Sequence, residues 1–371
     1  MSNKSNEYLI EQYETELADS WRQLKVFFTI NEMIGQTSEI NIIEDILSLL
    51  VQKLNADKGI IFLKDLKKEV STEMSIKFVY KLNIELIDNL SVIIGSGIVG
   101  EVAENKTPVI QNDRTRLNSD PILRQINYEI NSCLCVPITL SGQILGVICI
   151  LNKSSGVDFT ESDERVALSV AAQLSTIIKI QKEYFEIIEA FGRTIDTKDP
   201  YTYGHSERVA RYAELTAKEF QIPQDDIEIL KIASLLHDVG KISIPEKILH
   251  KPKEEPLTDE DWKVIKRHPI VGEDILSPIK ALQKLLPLIR YHHEDMDGGG
   301  YEKCNAGDLS LLVRILRVAD AYDAMTSERP YRKEMTPDEA IKELKDNSGT
   351  QFDPEVVEKF LIVRKKNPII P

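Results

Sequence analysis

The period of the apolar residues changes at Thr160, and that change limits what the chain can fold into. Before it, the runs GIIFLK, SIKFVYKL, SCLCVPITL and ILGVICILN are short, rich in β-branched residues and separated by Gly, Asn and Ser, as strands are. The segment GSGIVGEVAENKTPVI between them supplies a Gly-punctuated turn and a short helix. After Thr160 the pattern is helical, with loops over 245–256 and 295–308. The expected fold class is therefore multidomain: an α+β domain built on an antiparallel sheet with helices, followed by an all-α helical domain.

Helical spacing also precedes the strands. Residues 7–34 place Ile10, Tyr13, Leu17, Trp21, Leu24 and Phe28 at three- and four-residue steps, and a second helix runs through Ile43, Ile46, Leu47, Leu50 and Leu54. Thr160 and Asp163 form a capping-box pattern that starts the next helix. In it Val170, Leu174, Ile177, Gln181, Tyr184, Ile188, Phe191 and Ile195 make a heptad seam. Two readings of that seam stay open: one helix packing on its own domains in turn, or a parallel coiled-coil connector in a homodimer. The expected organisation is an N-terminal helix over 1–35, a sheet domain over 36–180, a connecting helix over 165–195 and a helical domain over 191–371.

Charge and composition narrow the function. The net charge of −14 is shared, about −9 in residues 1–190 and −5 beyond, so neither half is a basic arm for nucleic acid. The first residues show no positive segment leading into an apolar core, and no apolar run approaches the roughly 18 residues that a membrane span needs. Cys133, Cys135, Cys149 and Cys304 lack paired metal spacing and read as ordinary thiols, with Cys133 and Cys135 on one face of a strand. A cytoplasmic protein with no membrane insertion is expected.

The six histidines all fall in the second half of the chain. His205 sits one turn before Val209, on the face that should be buried. His237 and Asp238 end an amphipathic helix that Gly240 stops, and His292, His293 and Glu294 precede the Gly-rich DGGGY. Asp320 and Asp323 lie one turn apart in an otherwise apolar helix, where an unpartnered carboxylate is costly. Imidazole and carboxylate together suit Fe, Mn or Zn, and ions paired about 4 Å apart are a recurrent device for phosphoester chemistry. Hence His205, His237, Asp238, His268, His292, His293 and Asp320 read as a bimetallic site on facing helices, whereas His250 reads as a surface residue.

These segments resemble the HD-GYP family of metal-dependent phosphohydrolases over about residues 191–371. The resemblance rests on DPYTYGHSERV, LLHDVGKISIPEKIL, KRHPIVGEDIL, RYHHEDMDGGGY, VADAYDAMTSERPYR and FDPEVV, in the family's order. It implies hydrolysis of cyclic di-GMP to pGpG, with GMP as a further product. The seven residues above would be metal ligands, with Asp238 bridging. Asp238 and Lys241 would be catalytic, and Lys241, Tyr301, Arg329 and Arg332 would hold the substrate. Iron is the implied metal, with manganese as the other choice. Two departures stand out: Glu302 replaces the family's loop proline, and Met296 stands where many members have Trp. Losing Pro frees φ and should loosen the loop, while Glu302 adds negative charge near an anionic ligand. Tyr201 replaces the glutamate that supports a third metal in some members, so two divalent ions are expected.

Residues 36–180 resemble a GAF domain, carried by ADKGIIFLKD, IIGSGIVGEVAENKTPVI and SCLCVPITLSGQILGVICILNK. GAF domains sense small molecules or dimerise. Asn152, Lys153, Phe159, Asp163 and Glu164 fit the pattern of cyclic-nucleotide-binding members, yet the same residues also suit a strand end, a core and a helix cap. The GAF ligand stays open, although a half without histidine offers no obvious haem ligand. The whole reads as a phosphodiesterase regulated by a sensor and dimerised through the GAF domain and the connecting helix. The alternatives are a non-catalytic cyclic-dinucleotide effector and an HD enzyme for another nucleotide.

Overall fold

The computed structural model describes residues 17, 20–33, 42–65, 72–82, 90–126, 128–198, 204–251, 255–304, 306–327 and 334–367. The chain divides into two compact units, Met1–Lys182 and Glu183–Pro371.

In the first unit, helices α1 (20–33) and α2 (Ile42–Lys53) lead into six strands: β1 (Ala56–Lys64), β2 (Glu73–Tyr80), β3 (Ser91–Ile93), β4 (Val109–Gln111), β5 (Cys133–Leu140) and β6 (Gln143–Lys153). Two helices interrupt them, α3 (Gly97–Asn105) and α4 (Arg114–Ser119). The sheet order is β3-β2-β1-β6-β5-β4 and the neighbouring strands pair antiparallel. The four strand runs of the sequence are all present. The short β3 and β4, too brief to show a period, join at the edges.

Alternation sends side chains to two cores. Ile61, Leu134, Val136, Ile148 and Ile150 face α1, α2 and the first part of α5 (Glu161–Lys198), and Ile60, Phe62, Val147 and Leu151 face α3 and α4. Each such side chain taken from water contributes about 1.5–3 kcal/mol. Cys133, Cys135 and Cys149 lie in the second core, where Cys135 stands opposite Cys149, and Cys304 is partly buried.

The helix periods are real, but the face of α1 that is buried is not the one the sequence advertises. Leu17, Trp21, Leu24 and Phe28 of the α1 seam are 60%, 65%, 45% and 61% exposed, while Val26 and Ile30 pack inward. Ile10 and Tyr13 lie outside the described residues. Along α5, Val170, Leu174, Ile188 and Ile195 are buried, and the exposed apolar residues are Ile180, Ile187 and Phe191. Among the described residues no helix is long and apolar enough to cross a membrane.

The second unit is helical: α6 (His205–Glu219), α7 (Gln224–Leu236), α8 (Glu246–Leu249), α9 (Asp259–Ile265), α10 (His268–Leu276), α11 (Leu286–Tyr291), α12 (Leu311–Thr326), α13 (Pro337–Asp346) and α14 (Pro354–Lys366). Their starts follow side-chain chemistry. Thr258 with Asp261 and Thr336 with Glu339 form capping boxes, and Asp353 and Ser310 accept from the first free N–H groups of α14 and α12. The one-turn helix α8 occupies part of the expected 245–256 loop.

Candidate metal centre

The second unit gathers, from separate stretches of chain, the seven residues that the sequence singled out. His205 opens α6, and His237 and Asp238 follow the last turn of α7. His268 opens α10, His292 and His293 follow α11, and Asp320 lies in α12. Gly240 makes one of these approaches possible. A Cβ there would fall 1.8 Å from the His268 carbonyl oxygen, so only glycine lets the turn after Asp238 lie against the start of α10.

The distances define two donor groups with one member in common. His205, His237 and Asp238 offer ligand atoms within 4.8 Å of one another, and so do Asp238, His268, His292 and His293. Asp238 Oδ2 lies 3.4 Å from His237 Nε2 and 3.9 Å from His205 Nε2, while its Oδ1 lies 3.3 Å from His268 Nε2. Asp320 closes the set, with Oδ1 3.3 Å from His205 Nε2 and 3.8 Å from His237 Nε2, and Oδ2 3.9 Å from His293 Nδ1.

Local backbone bonds fix which imidazole nitrogen looks inward. His237, His268 and His292 each donate Nδ1–H to the carbonyl three residues earlier, Ser234, Ile265 and Ile289, at 2.7, 2.8 and 2.7 Å. A carbonyl only accepts, so the proton is on Nδ1 and Nε2 presents a lone pair. His268 Nε2 and His292 Nε2 then face each other at 3.2 Å, a repulsive contact unless a cation lies beside it. The buried Nε2 atoms of His205 and His237 have no hydrogen-bond partner. Orphaned, inward-facing imidazole nitrogens around a shared carboxylate fit divalent metal, the ligand class expected of this donor set.

Protonation follows the same layout. Burial opposes ionisation of Asp238, yet Lys241 and His237 hold its carboxyl well below the usual range. Burial likewise works against Asp320, and His205 and His237 hold it low. Burial and neighbouring imidazoles keep His292 and His293 well below the ordinary histidine value, so both are neutral donors. Burial would depress His205 too, but Asp320 and Asp323 raise it to about 9.

Lys241 Nζ donates to Asp238 Oδ2 at 2.5 Å. The Tyr301 ring lies 4.5 Å from that of His293, and Lys266, a cation the sequence did not single out, sits 5.2 Å over Tyr301. Arg329, Arg332 and Tyr201 lie outside the described residues. His250 is exposed and binds the Lys198 carbonyl from outside the cluster.

Two supporting residues were not assigned a role from sequence. Asp323 accepts from His205 Nδ1 at 2.7 Å and is itself held by Arg208 Nε at 2.7 Å, which sets the ring's orientation. Glu294, 2% exposed, accepts from the backbone N–H groups of Glu302 and Cys304 at 2.6 and 2.8 Å. The signal for Glu294 was its place beside His293, and for Asp323 its spacing from Asp320.

The fate of Glu302 differs from expectation. Its carboxylate is paired with Arg290, at 3.1 Å from Nε and 2.7 Å from Nη2, and Arg290 also binds Glu273. The loop is held through the N–H of residue 302, which a proline would lack. The first unit's nucleotide-like pattern is likewise spent internally. Asn152 binds the Asn131 N–H and the Glu129 carbonyl, Lys153 pairs with Asp163, Phe159 is core, and Asp163 caps α5.

Comparison with known proteins agrees with both halves. Residues 189–356 match the HD domain family and residues 38–178 the GAF domain family. A 3'3'-cGAMP-specific phosphodiesterase 3 of Vibrio cholerae is 37% identical over 219 residues, covering 58% of this chain and 46% of that protein. The cyclic di-GMP phosphodiesterase response regulator RpfG of Xanthomonas campestris is 34% identical over 206 residues, 54% of each chain. A cyclic di-GMP phosphodiesterase of Thermotoga maritima is 36% identical, covering 49% of this chain and 50% of its own. The chain thus spans about half the length of these curated relatives.

Proposed function

We propose that this chain, which joins a GAF domain to an HD domain, is a metal-dependent phosphodiesterase of 3',3'-cyclic dinucleotides. The observation that carries the reading is the pair of donor groups sharing Asp238, with buried imidazole nitrogens left unbonded. His205, His237, Asp238 and Asp320 would hold one divalent ion, and Asp238, His268, His292 and His293 the other. Iron is the first choice and manganese the second. When bound, such a pair supplies positive charge to the phosphate and lowers the pKa of a water.

The rest falls to the chain's own groups. Lys241 donates from Nζ to Asp238 at the rim of the cluster and would be the group to meet the charge that builds on the leaving 3' oxygen. Tyr301, stacked on His293 with Lys266 above it, would orient the substrate, and Arg329 and Arg332 would bind its phosphates. These cations reverse locally the field of a chain with net charge −14. Cyclic di-GMP is the proposed substrate and pGpG the first product, with GMP from a second cleavage.

A homodimer completes the proposal. Ile177, Ile180, Tyr184, Ile187 and Phe191 form a heptad-spaced stripe on α5, and the exposed Trp21, Leu24 and Phe28 form another on α1.

Anaerobic purification with metal analysis, then product analysis on cyclic di-GMP and 3',3'-cGAMP side by side, tests the reading. About two ions per chain and turnover of at least one substrate are expected. Turnover of 3',3'-cGAMP alone reassigns the substrate. Fewer than one ion per chain, or binding of both dinucleotides without hydrolysis, refutes the enzyme.

A further inference from the structure

The last turn of α5 touches the segments that carry the metal centre, one residue at a time. A Cβ on Gly192 would lie 2.7 Å from the Leu235 carbonyl oxygen, so the helix runs directly against the end of α7, two residues before His237. Asp196, 2% exposed, accepts from Ser206 Oγ at 2.7 Å and from the Ser206 N–H at 3.3 Å. Ser206 follows His205 in the first turn of α6, where a carboxylate satisfies otherwise free N–H groups. Lys198, the final residue of the helix, donates Nζ to the carbonyls of Lys241, Ile242 and Ile244, with distances of 3.1 and 3.0 Å to the first and last.

That last arrangement is unusual for a surface lysine. The acceptors belong to the 3-10 turn Val239–Ser243 and the residue after it; the Lys241 carbonyl also accepts the Ile244 N–H that caps the turn, so the ammonium adds to the bonds that close it. A single ammonium gathers the three carbonyls and thereby fixes the turn from which Lys241 reaches Asp238.

We infer that Lys198, assisted by Asp196, is a positioning residue that holds the Lys241 turn in register with the metal ligands, making the end of α5 the point at which the site is tuned. A displacement of the last turn of α5 therefore reaches Lys241 through the Lys198 bonds and His205 through Asp196 and Ser206, without a ligand contacting either. The inference rests on the phosphodiesterase reading for its catalytic consequence but not for the clamp itself.

The test uses the full chain with Lys198→Met, which keeps length and removes every donor, and Lys198→Arg, which keeps them. Metal content per folded chain should match wild type in both. In Lys198→Met, kcat should fall about 10- to 100-fold with KM little changed, the scale of losing charge-assisted hydrogen bonds. Lys198→Arg should recover most of it. Hydrogen exchange over 239–249 should rise about tenfold in Lys198→Met by the same loss. A merely structural lysine would lower the folded fraction while leaving turnover per metal-loaded chain unchanged, and that result overturns the inference. So does unchanged exchange. If Lys198→Met does not fold, Lys198→Gln, which keeps a donor but loses the charge, carries the decision, and wild-type exchange and turnover in it overturn the inference. If wild-type protein cleaves no cyclic dinucleotide, the enzyme reading fails by itself, and the exchange comparison still decides the clamp.

Discussion

Each unit buries an aspartate beside a lysine, and the two aspartates are treated in opposite ways. In the sheet unit, Asp163 is saturated: its oxygens take Arg22 at 3.3 Å, Lys153, and the N–H and hydroxyl of Thr160 at 3.0 Å each. In the helical unit, Asp238 has Lys241 at 2.5 Å, but its other neighbours are imidazole nitrogens, and two of those, on His205 and His237, are buried without a hydrogen bond. The first carboxylate closes a structure; the second leaves bonding capacity to be filled by something from outside. Unsatisfied imidazoles around it, rather than burial or charge, separate Asp238 from Asp163.

The comparison breaks most visibly at Asp238. Asp238→Ala should cost at least about 1,000-fold in kcat and remove both ions, because one carboxylate serves both donor groups. Metal analysis showing one ion retained at full affinity would contradict the sharing. Asp323→Asn should keep the fold and weaken metal binding about 10- to 100-fold, the usual penalty for losing the partner that orients a ligand. Titration with a fluorescent chelator as competitor measures it.

At Asp163 the effect should appear in stability alone. Burial raises its pKa, but Lys153 and Thr160 more than offset that and hold it below the usual carboxylate value. A depressed carboxylate adds stability that is complete above the unfolded value, about 3.9, and is lost as pH falls through the folded value. Denaturant unfolding near neutral pH should show Asp163→Asn about 3 kcal/mol less stable, with the difference shrinking in acid. Metal content and turnover per folded chain should not change. The smallest effect belongs to Glu302→Pro, which deletes the N–H that Glu294 accepts and the ion pair with Arg290. A rise in KM of about threefold, with kcat nearly constant, is expected from one lost loop hydrogen bond.

The fold and the candidate ligands that it gathers were legible in the sequence for definite reasons. Strand runs and the change of period at Thr160 are local signals, and the clustering of His205, His237, His268, His292 and His293 in one half exposed the centre. What stayed hidden depends on contacts far apart in sequence. Asp323 meets His205 across 118 residues and Lys198 meets Lys241 across 43, and nothing in either segment encodes the partner. The α1 seam shows the complementary limit. Its period gives a helix, but Leu17, Trp21, Leu24 and Phe28 face outward, because the sheet's core is filled by Val26 and Ile30.

Position 302 bears on how the loop is anchored. A ring that restricts φ and an N–H that reaches Glu294 are two unrelated solutions to one mechanical problem, and they exclude each other at a single residue. In this chain Glu294 stands ready to accept that N–H, and Arg290 neutralises the acid that carries it. The trio Arg290, Glu294 and Glu302 thus does by ion pair and hydrogen bond what a proline ring does by covalent restriction, and a loop anchored by charge answers to pH and salt where a ring does not.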